Sequence, residues 1–178
     1  MILAAAGRRI DAVGIEKPRF PLENTTEVEE AVKAFLKQQR VSTVVSSAAC
    51  GADLIVLEEA GKMGLRRKVI LPFEREKFQR ESVDDRPGDW SELFGRIVDE
   101  IEQRGDLVIL KGSEQSDPYS EVNRVVVEEA ICLGEESHRL VEALMVWDGM
   151  RSDEADYTAD FGDEARKHGL KVRQILTV

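Results

Sequence analysis

Apolar positions along the chain fall into two periods. Short continuous runs at residues 2–6, 43–45, 68–71, 107–110, 142–147 and 172–176 predict buried strands. Between them apolar residues recur every three or four positions. Val28, Ala31, Val32, Phe35 and Leu36 share one face of a helix over 25–38, where Thr26 and Glu29 have capping-box spacing. A second helix spans 54–63 and ends near Gly64. Trp90, Leu93, Phe94, Ile97, Val98 and Ile101 mark a strongly amphipathic helix that Gly88 or Asp89 can cap. Val122, Val125, Val126, Ala130 and Leu133 give another helix, and Asp117-Pro118 reads as its start. A last helix covers 161–168 and stops at Gly169. Residues 74–88 are charged, contain Pro87-Gly88 and lack periodicity, which predicts a long loop or flap.

Strands that alternate with helices and are apolar throughout belong to a parallel sheet covered on both faces. The fold class expected is therefore α/β: a three-layer, Rossmann-like domain with a mostly parallel central sheet. At 178 residues, with no repeat or linker composition, residues 1–178 read as one domain.

Composition narrows the function classes. The chain is 34% charged and 42% hydrophobic, with a net charge of −10, which argues against a partner that needs a basic face, such as nucleic acid. No apolar run reaches bilayer length, and no basic segment precedes the apolar N-terminus, so neither a membrane partner nor a signal peptide is expected. Cys50 and Cys132 have no metal-ligand spacing and make no disulfide framework, so a reducing cytoplasm is the default location. Walker A, G-x-G-x-x-G, G-x-S-x-G and H-E-x-x-H patterns are all missing, and no cofactor or metal is expected.

In open α/β sheets ligands bind beyond the carboxyl ends of the strands. Those positions hold Gly7-Arg8-Arg9, the small-residue stretch Ser46 to Asp53, Pro72-Phe73-Glu74, Lys111-Gly112-Ser113 and Asp148-Gly149. Ala49, Cys50, Gly51 and Ala52 sit where a loop of small residues enters a helix. There backbone N–H groups can meet a phosphate, or the small residues can serve tight packing. Arg8 or Arg9 can fork onto phosphate oxygens, with few packing duties for Arg8; both can equally be surface arginines. Asp53 can cap its helix or accept ribose hydroxyls. Cys50 next to a helix N-terminus would have a lowered thiol pKa, yet no histidine is near in sequence to activate it. Tyr119 and Asn123 are further candidates to face the site.

Gly7-Arg8-Arg9-Ile10-Asp11, Arg19-Phe20-Pro21, Ala49-Cys50-Gly51-Ala52-Asp53-Leu54 with Glu58, Val69-Ile70-Leu71-Pro72-Phe73 with Phe78 and Ser82-Val83, and Val146-Trp147-Asp148-Gly149 follow one another as separate short segments spread over nearly the whole chain. The set resembles the SLOG superfamily, the Rossmann-like group that joins the DprA/Smf proteins, the LOG phosphoribohydrolases and related sensor domains. The resemblance implies binding of a nucleotide or nucleotide-derived signal. Cys50, Gly51 and Ala52 would hold phosphate, Gly7 and Arg8 would line the floor, Pro72 and Phe73 would pack on base or sugar, and Asp148 and Gly149 would close the far side. Sensor relatives carry Gly-Gly-Thr after the fifth strand; here only Thr158 is shared. The P-G-G-x-G-T-x-x-E motif of the LOG enzymes is missing. Ligand binding is thus the expected function, with nucleotide N-glycosidic hydrolysis through Glu58 or Glu74 as the alternative. The resemblance also implies a homo-oligomer, for which the apolar 90–101 stripe is either a contact surface or a sheet-packing face.

Overall fold

A computed structural model describes residues 1–111 and 117–178. Its strands are β1 (Ile2–Gly7), β2 (Thr43–Ser46), β3 (Arg66–Leu71), β4 (Leu107–Ile109), β5 (Val141–Trp147) and β6 (Lys171–Leu176). Its helices are α1 (Thr25–Gln38), α2 (Ala52–Lys62), α3 (Arg75–Ser82), α4 (Trp90–Gln103), α5 (Pro118–Ser137) and α6 (Tyr157–Lys167). All strand pairs are parallel, in the order β4-β3-β2-β1-β5-β6. The molecule is a three-layer, Rossmann-like α/β fold.

Strand side chains alternate between the faces, as a period of two requires. Leu3 and Ala5 of β1 join the core beneath α1, α2 and α4, while Ile2 and Ala4 join the core beneath α5 and α6. Trp90, Phe94, Ile97, Val98 and Ile101 are buried within the chain, so the α4 stripe packs on the sheet. Each such large side chain contributes roughly 1.5–3 kcal/mol when fully buried. No helix among the described residues is long and apolar enough to cross a membrane.

The chain moves from β1 outward through β2 and β3 to β4, then returns across the sheet through α5 to β5 on the other side of β1. The connections after β1 and β5 thus leave toward opposite faces. That reversal opens a crevice at the carboxyl ends of the central strands, where α/β folds place ligands.

Several local expectations need correction, among them the start of β3, at Arg66 and not 68, and that of α6, at Tyr157 and not 161. Residues 75–82 are helical and not part of a continuous loop; only Phe78 and Ser82 of α3 are buried, too few to print a period on the sequence. Thr26 and Glu29 form no capping box. α1 begins at Thr25, and Asn24 at its N-cap donates its side-chain amide to the Thr177 carbonyl at 2.9 Å. Asp89 occupies the N-cap of α4 without a side-chain capping bond. Asp117 does cap α5, accepting the Ser120 N–H at 2.8 Å with Pro118 in the first turn.

Candidate functional site

A cavity of about 490 Å³ opens beyond the carboxyl ends of β1 and β2. Ala5, Ala6 and Gly7 form its floor, joined by Ser47, Ala49 and Asp53 from the β2–α2 passage. Phe78 and Ser82 of α3 and then Arg86 stand on one side. Tyr119, Val122, Asn123 and Val126 of α5 make one wall, and Glu154, Ala155, Tyr157 and Thr158 complete it from the start of α6. Arg8 and Arg9 lie on the lining as well.

Close packing explains the glycine at the floor. A Cβ on Gly7 would overlap the Ala52 methyl and the Val146 carbonyl, so α2 and β5 can approach the end of β1 only at a glycine. Gly51 adopts φ +86°, and a Cβ there would stand 2.9 Å from Arg8 O and Ile10 N. It is the hinge on which the small-residue loop turns into α2.

The N–H groups of this loop are largely engaged inside the protein. Cys50 donates to the Ser82 carbonyl at 2.9 Å and Ala52 to the Arg8 carbonyl at 3.0 Å. Ala49 donates to Asp53 Oδ2 at 3.3 Å. Asp53 Oδ1 accepts the Gly7 N–H at 3.1 Å, so this one carboxyl ties the end of β1 to the loop after β2. Burial pushes the Asp53 carboxyl up to about 7 against the pull of those two N–H bonds and of Arg9. Cys50, Gly51 and Ala52 therefore lie beneath the cavity as its support; they do not line it, and the small-residue loop takes the packing role among the two its sequence allowed. Cys50 is fully buried and its thiol is pushed up to about 11 by desolvation, opposite to the lowering expected at a helix N-terminus. It offers no ready nucleophile.

Arg8 is held by acid groups from across the fold. Its Nη1 and Nη2 fork onto Asp156 at 2.6 and 2.7 Å, Nε reaches Asp148 at 3.0 Å, and Nη2 donates to the Met150 carbonyl at 2.8 Å. Its guanidinium lies 5.6 Å from the Trp147 ring centroid. Arg19 completes the cluster, binding Asp148 through Nε at 2.8 Å and Nη2 at 3.1 Å. The Arg19 backbone is set by Asp11 Oδ2, which accepts the N–H groups of Arg19 and Phe20, both at 2.9 Å. Asp156 also caps α6 through the Ala159 N–H at 3.0 Å and accepts the Ser152 N–H at 2.8 Å. Burial would raise the Asp156 carboxyl, but Arg8 and these amides hold it well below the usual carboxylate range. Asp148 is thus a partner of two arginines, and Gly149 is exposed; neither lines the cavity.

Arg9 differs from Arg8. It is about one-third exposed and pairs with Asp85, as does Arg86. Pro72 is buried and Phe73 sits behind the cavity wall, edge-on to Tyr119 with ring centroids 6.0 Å apart. Lys111 is exposed, while Gly112 and Ser113 fall outside the described residues.

Tyr119 and Asn123, both flagged by the sequence, do face the cavity. Tyr157, Ser82, Arg86 and Glu154 join them without having been singled out as site residues. Tyr157 is adjacent to Thr158, the shared position, and that adjacency was its one available signal. The Tyr119 and Tyr157 rings lie 5.3 Å apart at 40°. Both are anchored: Tyr157 Oη donates to Asp117 at 3.0 Å, Tyr119 Oη shares a hydrogen bond with Ser82 at 3.1 Å, and Asn123 donates to the Tyr157 carbonyl at 2.7 Å. The wall thus offers two fixed aromatic rings beside the first turns of α5 and α6, where the helix dipoles favour negative charge. Glu58 binds Arg96 and Lys62 on α2 and Glu74 is exposed; neither reaches the cavity. Among the described residues no group of three His, Cys, Asp or Glu side chains is placed to hold a metal.

No protein-family model matches the chain, and no curated protein matches it. Among solved structures it is similar to DNA processing protein A (DprA) from Streptococcus pneumoniae, at 14% sequence identity and a TM-score of 0.39. The match covers 94% of this chain and 61% of that one, so the chain spans less than two thirds of its neighbour. The Rossmann-like fold rests on the strand order itself, six parallel strands with the reversal beside β1.

Proposed function

We propose that the protein binds a nucleotide or a nucleotide-derived small molecule in the cavity at the carboxyl edge of the sheet. One observation carries this reading: a cavity of about 490 Å³ at the sheet's reversal point has an anchored tyrosine pair on one wall and arginines on its lining. Its volume falls within the range of about 300–1,000 Å³ typical of small-molecule sites. A planar base can lie against Tyr119 and Tyr157, while Asn123, Ser82 and Ser47 supply polar contacts for a sugar. The ordered motifs that resemble the SLOG superfamily support the same class of ligand.

Binding is favoured over N-glycosidic hydrolysis. Cleavage needs a carboxylate free to act beside the sugar. Glu58 and Glu74 stand away from the cavity, both oxygens of Asp53 accept backbone N–H bonds, and Glu154, the remaining carboxylate on the lining, is exposed to solvent. The acidic net charge of −10 and a bounded cavity favour a single small molecule over a nucleic-acid strand.

A thermal-shift panel of nucleosides, nucleoside mono-, di- and triphosphates and cyclic nucleotides tests the proposal. A ligand at one hundred times its Kd stabilises the folded state by about 2.7 kcal/mol, a readily measured rise in Tm. Failure of every nucleotide to raise Tm contradicts it, and release of free base during the incubation would restore the hydrolase.

A further inference from the structure

Two arginines from distant parts of the chain converge on one carboxylate at the cavity mouth. Arg9, just past β1, directs Nη1 at both oxygens of Asp85, each at 2.8 Å, and at the Glu81 carbonyl at 3.0 Å. Arg86 brings its own Nη1 to Asp85 Oδ2 at 3.0 Å. Among the described residues the hydrogen bonds of both arginines pass through Nη1, so Nε and Nη2 of each remain for another acceptor. Arg9 and Arg86 line the cavity and Asp85 does not.

The contrast with Arg8 sets the chemistry. Arg8 is 11% exposed and two carboxylates neutralise it and engage its fork. Arg9 and Arg86 are 32% and 25% exposed and share one carboxylate, so the pair carries one positive charge more than Asp85 balances, with Glu154 the exposed carboxylate elsewhere on the lining. A guanidinium pair with unused, coplanar donors suits a phosphoryl group, whose several oxygens can accept more bonds than one carboxylate offers.

We infer that Arg9 and Arg86 form an anion subsite for the phosphoryl group of the bound nucleotide, and that Asp85 is an internal carboxylate that competes for it. The inference rests on the nucleotide reading above and adds the regulation of that same site. A phosphomonoester or pyrophosphate, carrying more charge than a carboxylate, draws both arginines inward and releases Asp85. A neutral nucleoside has nothing to exchange and gains nothing from the loss of Asp85.

Calorimetric titration of the parent, Asp85→Asn and Arg86→Ala tests this. The probes are pyrophosphate, the nucleoside monophosphate that most raises Tm in the panel, and its nucleoside. Asp85→Ala serves as a second variant, and circular dichroism checks that each is folded. Asp85 is partly exposed, so its competition is worth up to about fivefold in affinity. Asp85→Asn should bind the monophosphate several-fold tighter than the parent, with nucleoside affinity unchanged, and Arg86→Ala should bind it more weakly. Equal or weaker monophosphate binding by both Asp85 variants overturns the competition, as does an equal gain for the nucleoside. If no nucleotide binds but pyrophosphate binds Asp85→Asn more tightly than the parent, the anion subsite stands and the nucleotide reading falls. If nothing binds either protein, both fall.

Discussion

Replacing Arg8 with alanine should destabilise the fold by about 3 kcal/mol. The perturbation removes a guanidinium that makes two bonds to Asp156, one to Asp148 and one to the Met150 carbonyl. The Asp156 side chain is 0% exposed and that of Asp148 5%. Breaking a buried ion pair from one side costs about 3–5 kcal/mol, because the remaining charge stays desolvated. Here the lower end applies: Asp156 keeps the Ser152 and Ala159 N–H groups, and Asp148 keeps Arg19. At about 2–4 °C per kcal/mol for a chain of this size, Tm should fall by about 6–12 °C. Arg8→Lys keeps the charge without the fork and should fall between parent and alanine. Urea unfolding followed by circular dichroism reads all three. Equal unfolding midpoints for parent and Arg8→Ala would refute the reasoning, and lost nucleotide affinity beside them would return Arg8 to the ligand.

Gly51→Ala should lose about 2 kcal/mol, since it combines a positive φ with contacts to fixed backbone atoms; a parent-like Tm would show that the loop can move aside. Burial lifts the Asp53 carboxyl to about 7 in the folded protein, above its unfolded value near 4. That contribution to stability is fully present below the unfolded pKa and is lost as pH rises through about 7. Urea midpoints between pH 5 and 8 should therefore decline in the parent and stay flatter in Asp53→Asn; parallel profiles would contradict this. Asp156, held low by Arg8 and the amides, acts with the opposite sign and is lost only as acid protonates it, below the window of the Asp53 measurement. In the native protein iodoacetamide should label exposed Cys132 and leave Cys50 intact, as intact-mass and peptide analysis would read; early labelling at Cys50 would mean the loop opens.

The sheet and most helices were legible because their signals are local. The 25–38 helix shows its apolar face within three turns and has the same bounds in the structure. Asp117-Pro118 carries its own capping chemistry. α3 left no trace because a helix with only Phe78 and Ser82 buried has no stripe to read. The start of β3 was missed because Arg66 and Arg67 look like loop residues; both are paired in the structure, with Asp106 and Glu100. At the site, the strand ends pointed to Gly7, Arg9, Ala49 and Asp53, which do lie on one cavity. The fate of Arg8 could not be read, because Asp148 and Asp156 are 140 and 148 residues away along the chain. The backbone donors of Ala49, Cys50 and Ala52 look available in the sequence; only folding shows Asp53, Ser82 and Arg8 engaging them.

The claim that a nucleotide occupies the cavity at the carboxyl edge of the sheet is tested most directly by a ¹⁵N-resolved NMR titration with the monophosphate that most raises Tm. The amides of Gly7, Ser47, Ala49, Asn123 and Thr158 should shift together and saturate with one affinity, because all five residues line that cavity. Shifts confined instead to Ile2, Thr43, Arg66 and Arg139, around the second cavity of about 400 Å³ where β1 and β2 begin, would contradict the account.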